Sequence, residues 1–186
     1  IAEVTIPEGA SFRKSAAILE RQGVITDPLL FVLLAKIKKA EYSIKAGQYS
    51  INLPVTPLDI IDKLVRGEVI LISVTIPEGS NLFDIARILE HAGLKPSADV
   101  LRTATDGGFA RSMGLADNGT MEGFLFPDTY KFSRSMPLEQ MLGRMAMRFR
   151  DIFARELQAE AGPGMLDPRQ LVVLASLVEK EAADPS

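Results

Sequence analysis

Val4-Thr5-Ile6-Pro7-Glu8-Gly9 lies at the start of the chain, and Val74-Thr75-Ile76-Pro77-Glu78-Gly79 repeats it seventy residues later. The match runs on without a gap through Ala16 and Ala86, Ile18 and Ile88, Leu19 and Leu89, Glu20 and Glu90, and Gly23 and Gly93. Each copy reads as a short strand of β-branched residues, a Pro-Glu-Gly turn and a helix. Phe12, Ala16 and Leu19 correspond to Leu82, Ala86 and Leu89, at spacings that place them on one helix face. Gly23 and Gly93 stand where a helix end favours positive φ. Residues 4–24 and 74–94 are therefore expected to follow the same path.

Outward from the first copy, Asp27-Pro28 starts a second helix, from Leu29 to about Lys39, and Gly47 to Ile51 reads as a strand. The order over residues 3–52 is strand–helix–helix–strand. Thr56-Pro57 opens another helix to about Arg66, stopped by Gly67, where a soft boundary is expected. The organisation predicted is α+β: a module over 1–67, then a mixed, largely helical domain over 68–186. Val69 to Ile76 is rich in β-branched residues and feeds into the second copy. Pro96-Ser97 begins a short helix through Thr103, ended by Asp106-Gly107-Gly108, with a further helical turn over 109–113.

Glu122 to Phe132 carries Phe124, Phe126, Tyr130 and Phe132 at even spacing, with Gly123 and Pro127 excluding a regular helix. An irregular strand edge with aromatics on one side suits a sugar platform; equally, Phe124 and Phe126 are of a type usually buried as core. Tyr130 keeps a polar tip. From Pro137 a long helix runs to about Ala159, with Leu138, Leu142, Met145, Phe149, Ile152 and Phe153 as its apolar stripe. Arg144, Arg148, Arg150 and Arg155 lie mainly off that stripe and read as a solvated row. Gly162-Pro163-Gly164 turns the chain back into a last helix, antiparallel to its predecessor.

Composition narrows the chemistry. The 186 residues include no Cys and one His, His91, and carry a net charge of -3. Disulfides, thiol nucleophiles, Cys- or His-based metal sites and a Ser-His-Asp triad are excluded or disfavoured. No broad basic surface points to nucleic acid. His91 is expected at the surface. The longest apolar run near the start, Leu29 to Ala35, is well short of the ~20 residues that span a bilayer. A first residue of Ile rather than Met suggests a piece of a longer precursor.

The last helix carries the candidate chemistry. Asp167 is a good N-cap, Pro168 takes the first helical position, and Gln170 completes a capping-box spacing. Leu171 to Val178 is apolar except for Ser176, as in a buried helix. At ~100° per residue, Glu179 falls beside the apolar stripe between Val172 and Ala175, and Glu181 falls near Leu174. A carboxyl at the mouth of an apolar environment has its neutral form favoured, which suits a general acid. Glu-Lys-Glu at a helix end is also the usual form of a solvated terminus, and periodicity does not choose between the two.

Two blocks resemble a known family. Ala175-Ser176-Leu177-Val178-Glu179-Lys180-Glu181-Ala182 and Glu122-Gly123-Phe124-Leu125-Phe126-Pro127-Asp128-Thr129-Tyr130 are similar to signatures of the endolytic murein transglycosylases, the YceG-like family, and lie in the family's order. The strand–helix–helix–strand order at the start resembles LysM modules, which bind N-acetylglucosamine chains. The resemblance implies non-hydrolytic cleavage of the β-1,4 bond between N-acetylmuramic acid and N-acetylglucosamine, with Glu179 as the catalytic residue and no cofactor or metal. Glu122, Phe126, Asp128, Tyr130, Ser176 and Glu181 become candidates for substrate binding. It further implies peptidoglycan strands and peptidoglycan synthases as partners, and a place on the extracytoplasmic face of the inner membrane. Anchoring would come from a segment outside this chain. The family's catalytic region continues beyond the Glu179 helix, so a truncated, incomplete site is expected.

Two other readings stand beside it. A non-enzymatic glycan-binding module would account for the repeat. Aminodeoxychorismate lyase, a name also attached to the family, would need a Schiff-base lysine and a phosphate cup for pyridoxal phosphate, and the sequence shows no Gly-rich phosphate loop.

Overall fold

The computed structural model describes residues 1–40, 42–114 and 119–157. The fold is α+β. In chain order the elements are β1 (Ala2–Ile6), α1 (Phe12–Arg21), α2 (Pro28–Ile37), β2 (Gly47–Ile51), α3 (Pro57–Arg66), β3 (Ile72–Thr75), α4 (Leu82–His91), α5 (Ser97–Ala104), α6 (Gly107–Ser112), β4 (Thr129–Phe132) and α7 (Leu138–Ile152). A π-helical turn, Phe153–Leu157, follows α7 directly. The chain forms two compact units. One takes Ile1–Ile72 with Ser133–Met136, and the other takes Ser73–Phe132 and the chain from Pro137.

In the first unit β1 and β2 pair antiparallel, with Val4 opposite Tyr49 and Ile6 opposite Gly47. Alternate residues of both strands are buried, as period-2 side chains require when one face is covered. Helix α1 starts at Ser11, whose hydroxyl accepts the Lys14 N–H, and lays Phe12, Ser15, Ala16 and Leu19 into the core. The Phe12 ring stacks on Phe31 of α2 at 5.2 Å. Helix α3 begins at Thr56 and ends on Gly67 in the left-handed region, as expected from Thr-Pro and Gly at its two ends.

The second unit opens on the same path. Buried Val4, Ile6, Ala16, Leu19 and Val24 recur as buried Val74, Ile76, Ala86, Leu89 and Leu94. The turn glycines Gly9 and Gly79 have φ of 69° and 74°, and the helix-end glycines Gly23 and Gly93 have 67° and 66°. The Val24 N–H donates to Leu19 at 2.9 Å and the Leu94 N–H donates to Leu89 at 3.0 Å. The likeness reaches further than the sequence match. Each strand–helix start is followed by a second helix, α2 or α5, and each first strand pairs with a later one, β1 with β2 and β3 with β4.

Three expectations change. Asp106-Gly107-Gly108 does not simply end α5, which closes at Thr105. It begins α6, with the Asp106 carboxylate accepting the Phe109 N–H at 2.8 Å. Gly107 is glycine because its backbone meets that of Gly119, where a Cβ would stand 3.1 Å from the Gly119 Cα. The regular strand in the aromatic block is confined to Thr129–Phe132, since Gly123 has a φ of 79° and Pro127 offers no N–H to a ladder. The long helix leaves α-geometry after Ile152. The helix expected over 167–183 lies outside the described residues.

Candidate functional site

The aromatic block is held by backbone bonds at its start and middle. The Met121 N–H donates to Ala104 at 2.8 Å, and the Phe126 N–H donates to Met145 of α7 at 3.4 Å. Phe124 is buried edge-on against Phe149 of α7, with ring centres 5.3 Å apart, so it serves the core. Phe126, two residues on, is only partly buried.

Around Phe126 the structure gathers Asp128, Tyr130 and Arg148. The Arg148 Nε donates to Asp128 Oδ2 at 2.9 Å, and its guanidinium lies 5.9 Å from the centre of the Phe126 ring. The other Asp128 oxygen accepts the Thr129 N–H at 2.7 Å. The Asp128 carbonyl accepts the Ile76 N–H of the second copy at 3.0 Å. The Tyr130 hydroxyl donates to the Phe126 carbonyl at 2.6 Å, and its ring stacks on Phe132 at 5.6 Å. Three of the sequence candidates, Phe126, Asp128 and Tyr130, thus form one cluster.

Electrostatics divide the roles these groups can take. The Thr129 N–H, and then the Arg148 guanidinium, hold the Asp128 carboxyl below the usual carboxylate range. Asp128 is an ionised acceptor at neutral pH and cannot serve there as a proton donor. Burial, reinforced by the Asp128 charge, pushes the Tyr130 hydroxyl up to about 12, so it remains a neutral donor. Its proton is already engaged by a backbone carbonyl. The Arg148 guanidinium lies over one face of the Phe126 ring, and the residue is half-buried.

Glu122 sits elsewhere in the same unit. Its carboxylate accepts the N–H of Leu82, the first residue of α4, at 3.4 Å, beside the capping box formed by Asn81 and Asp84. A negative group there is favoured by the positive end of the helix. Ser176, Glu179 and Glu181 lie outside the described residues. Arg148 reads from the sequence as one of a solvated row, and only the packing of α7 under the block gives it Asp128 as a partner. His91 is exposed, its Nδ1 2.7 Å from the Arg87 carbonyl. Among the described residues no group of His, Asp and Glu side chains could hold a metal ion.

The first unit has a polar cleft of about 270 Å³ lined by Glu3, Gln48, Ile70, Ile72 and Arg134. Gln48 bridges it, donating to Glu3 at 2.9 Å and accepting from Arg134 at 3.1 Å.

The model of the YceG-like family matches residues 4–186, and the chain belongs to that family. Among curated relatives, the endolytic murein transglycosylase of Streptococcus pneumoniae strain D39 is 29% identical over 97% of this chain and 37% of its own length. That of Bacillus subtilis is 26% identical over 97% of this chain and 54% of its own. The chain therefore spans between about a third and a half of the curated relatives it matches. A crystal structure of a YceG-like protein from Listeria monocytogenes is 28% identical, covering 84% of this chain and 56% of its own, with a TM-score of 0.42.

Proposed function

We propose that the protein carrying this chain is a peptidoglycan lytic transglycosylase of the cell envelope. The observation that carries the reading is the family match, with relatives named endolytic murein transglycosylases aligned over 97% of the chain. Residues 1–67 are the LysM-like module that holds glycan, and residues 68–186 begin the transglycosylase domain. The protein works on the extracytoplasmic face of the inner membrane, alongside peptidoglycan synthases.

Glu179 does the chemistry alone. Its carboxyl gives a proton to the glycosidic oxygen as the C1–O bond of the muramic residue breaks, and the N-acetylglucosamine leaves with a free hydroxyl. The carboxylate then takes the proton of the C6 hydroxyl as O6 bonds to C1, closing the 1,6-anhydro ring and restoring the acid. Water takes no part, and the intramolecular attack gains from proximity. Asp128, ionised and held by Arg148, accepts hydrogen bonds from sugar hydroxyls and offsets positive charge on the ring. Phe126, half-buried beside them, offers the exposed part of its ring to the sugar. Tyr130 fixes the loop through the Phe126 carbonyl. Glu122, Ser176 and Glu181 complete the binding surface.

Mass spectrometry of sacculi digested by the protein that carries this chain tests the reading. Anhydro-muramyl ends are expected, and Glu179→Gln should remove them at the upper end of the ~10²–10⁴-fold worth of acid–base catalysis, while glycan binding persists. Reducing ends would mean hydrolysis. Full activity in the Glu179→Gln protein would move the assignment to Glu181 or Glu122. The duplicated module favours a second reading, a glycan-binding protein without catalysis, which predicts retention of sacculi and no cleavage by either protein.

A further inference from the structure

Helix α2 buries one face and exposes another that is just as apolar. Phe31 and Ala35 point into the first unit, and Lys38 reaches Asp62 at 2.6 Å. On the outer side Leu29 is 83% exposed, Leu30 47%, Leu33 54% and Ile37 71%. At ~100° per residue these four fall within one arc of the helix, and Lys36 borders it. Lys36 and Lys39 are exposed at the C-terminal end, and Tyr42 beyond them is 93% exposed.

The fold does not require this surface, because the same module is built again. Helix α5 takes the place of α2 in the second copy, with Val100 and Ala104 as its buried pair where α2 has Phe31 and Ala35. Matched on those pairs, the positions of Leu30 and Leu33 are held by Asp99 and Arg102, which form an ion pair at 2.8 Å. One helix has a solvated outer face and its counterpart has leucine.

We propose that the outer face of α2 lies on a lipid bilayer surface that carries anionic headgroups. An exposed apolar arc bordered by Lys36, with Lys39 and Tyr42 beyond its end, suits a face seated ~5–10 Å deep in a membrane interface while the opposite face of the helix stays in the core. The lysines then meet lipid phosphate and the tyrosine ring lies at headgroup level. At 10 residues the helix is too short to cross, so it lies along the surface. The acidic group at its start, Asp27, caps the helix by accepting the Leu30 N–H and stands at the end opposite Lys36 and Lys39. Charge complementarity favours this occupant, since α2 carries no acidic side chain and its C-terminal end presents Lys36 and Lys39. The proposal is independent of the transglycosylase reading.

Flotation of the 186-residue chain with vesicles of phosphatidylcholine containing about one third phosphatidylglycerol tests it. Binding is expected, and Leu29→Ser with Leu33→Ser and Ile37→Ser should reduce it by about tenfold or more. In the second copy the positions of Leu33 and Ile37 are held by Arg102 and Asp106 and that of Leu29 by Ala98, and an unchanged circular dichroism spectrum confirms the fold. Lys36→Gln with Lys39→Gln should weaken binding to the acidic vesicles alone. No binding by the unsubstituted chain, or binding indifferent to the serine substitutions, overturns the proposal. Equal binding to pure phosphatidylcholine overturns the choice of anionic headgroups. A dimer that the serine substitutions dissolve, without vesicle binding, assigns the face to a second copy instead.

Discussion

Tyr49 and Tyr130 hold the same place in the two copies of the module. Each hydroxyl donates to the carbonyl four residues upstream, Tyr49 to Lys45 at 2.5 Å and Tyr130 to Phe126 at 2.6 Å. Each follows by two residues the point where its strand meets the first strand of its copy: Ile6 pairs with Gly47, and the Ile76 N–H reaches the Asp128 carbonyl. The tyrosines pin the approach to their strands, and in the second copy that approach carries Phe126 and Asp128.

Tyr49→Phe should cost about 1 kcal/mol, because the Lys45 carbonyl loses its donor inside the unit. Urea denaturation of the two proteins measures it. Burial raises both hydroxyls to about 12 from an ordinary value of 10.0. Since the native state holds these protons more tightly, their contribution is complete below pH 10 and is lost as pH rises through 12. The Tyr49→Phe, Tyr130→Phe protein should therefore lose less stability than the parent across that window.

Arg148→Gln should raise the Asp128 titration midpoint, read from its carboxyl carbon by NMR. The midpoint should remain below the ordinary carboxylate range, because the Thr129 N–H still donates. Asp128's stabilising contribution is present above pH ~4 and fades as pH falls through its lower native pKa. The substitution should narrow that acid-sensitive range. An unmoved midpoint would show that the guanidinium does not hold the carboxylate.

Gly47→Ala should destabilise the first unit by about 1–3 kcal/mol. Gly47 has a φ of 150°, and an added Cβ would fall on the Val69 side chain and 3.1 Å from Ser135 Oγ. A lowered urea midpoint with an unchanged slope is expected.

Ser15 and Phe12 should be coupled. The buried pair of the first copy, Phe12 and Ser15, is large and small, whereas Leu82 and Ile85 of the second copy are of similar size. Ser15→Ile alone overpacks the site and should cost about 1–3 kcal/mol. Combined with Phe12→Leu, it should cost less than the two changes summed, as a double-mutant cycle in urea would show.

The paired modules were legible because their signals are local: Pro-Glu-Gly turns, glycines at helix ends and apolar residues at helical spacing. The second tyrosine was not, since α6 displaces Tyr130 from the seventy-residue register, and Gly107-Gly108 reads as a breaker until Gly119 is seen against it. Arg144 and Arg150 are exposed, as a row of arginines suggests. Arg148 differs only in what lies over it, and Asp128 is distant in sequence. The Glu122–Tyr130 block was legible as a motif, but its residues' separate tasks depended on which backbone groups they met.

The excursion of Ser133–Met136 into the first unit has a consequence for biosynthesis. Arg134 reaches Gln48, and the Ser135 hydroxyl donates to the Ala46 carbonyl at 3.2 Å. A ribosome that has reached Ile72 has supplied the β1–β2 sheet and helices α1, α2 and α3 of that unit, but not the segment that closes it beside Gly47. The nascent unit must wait, its edge open, until the whole second strand–helix module has emerged.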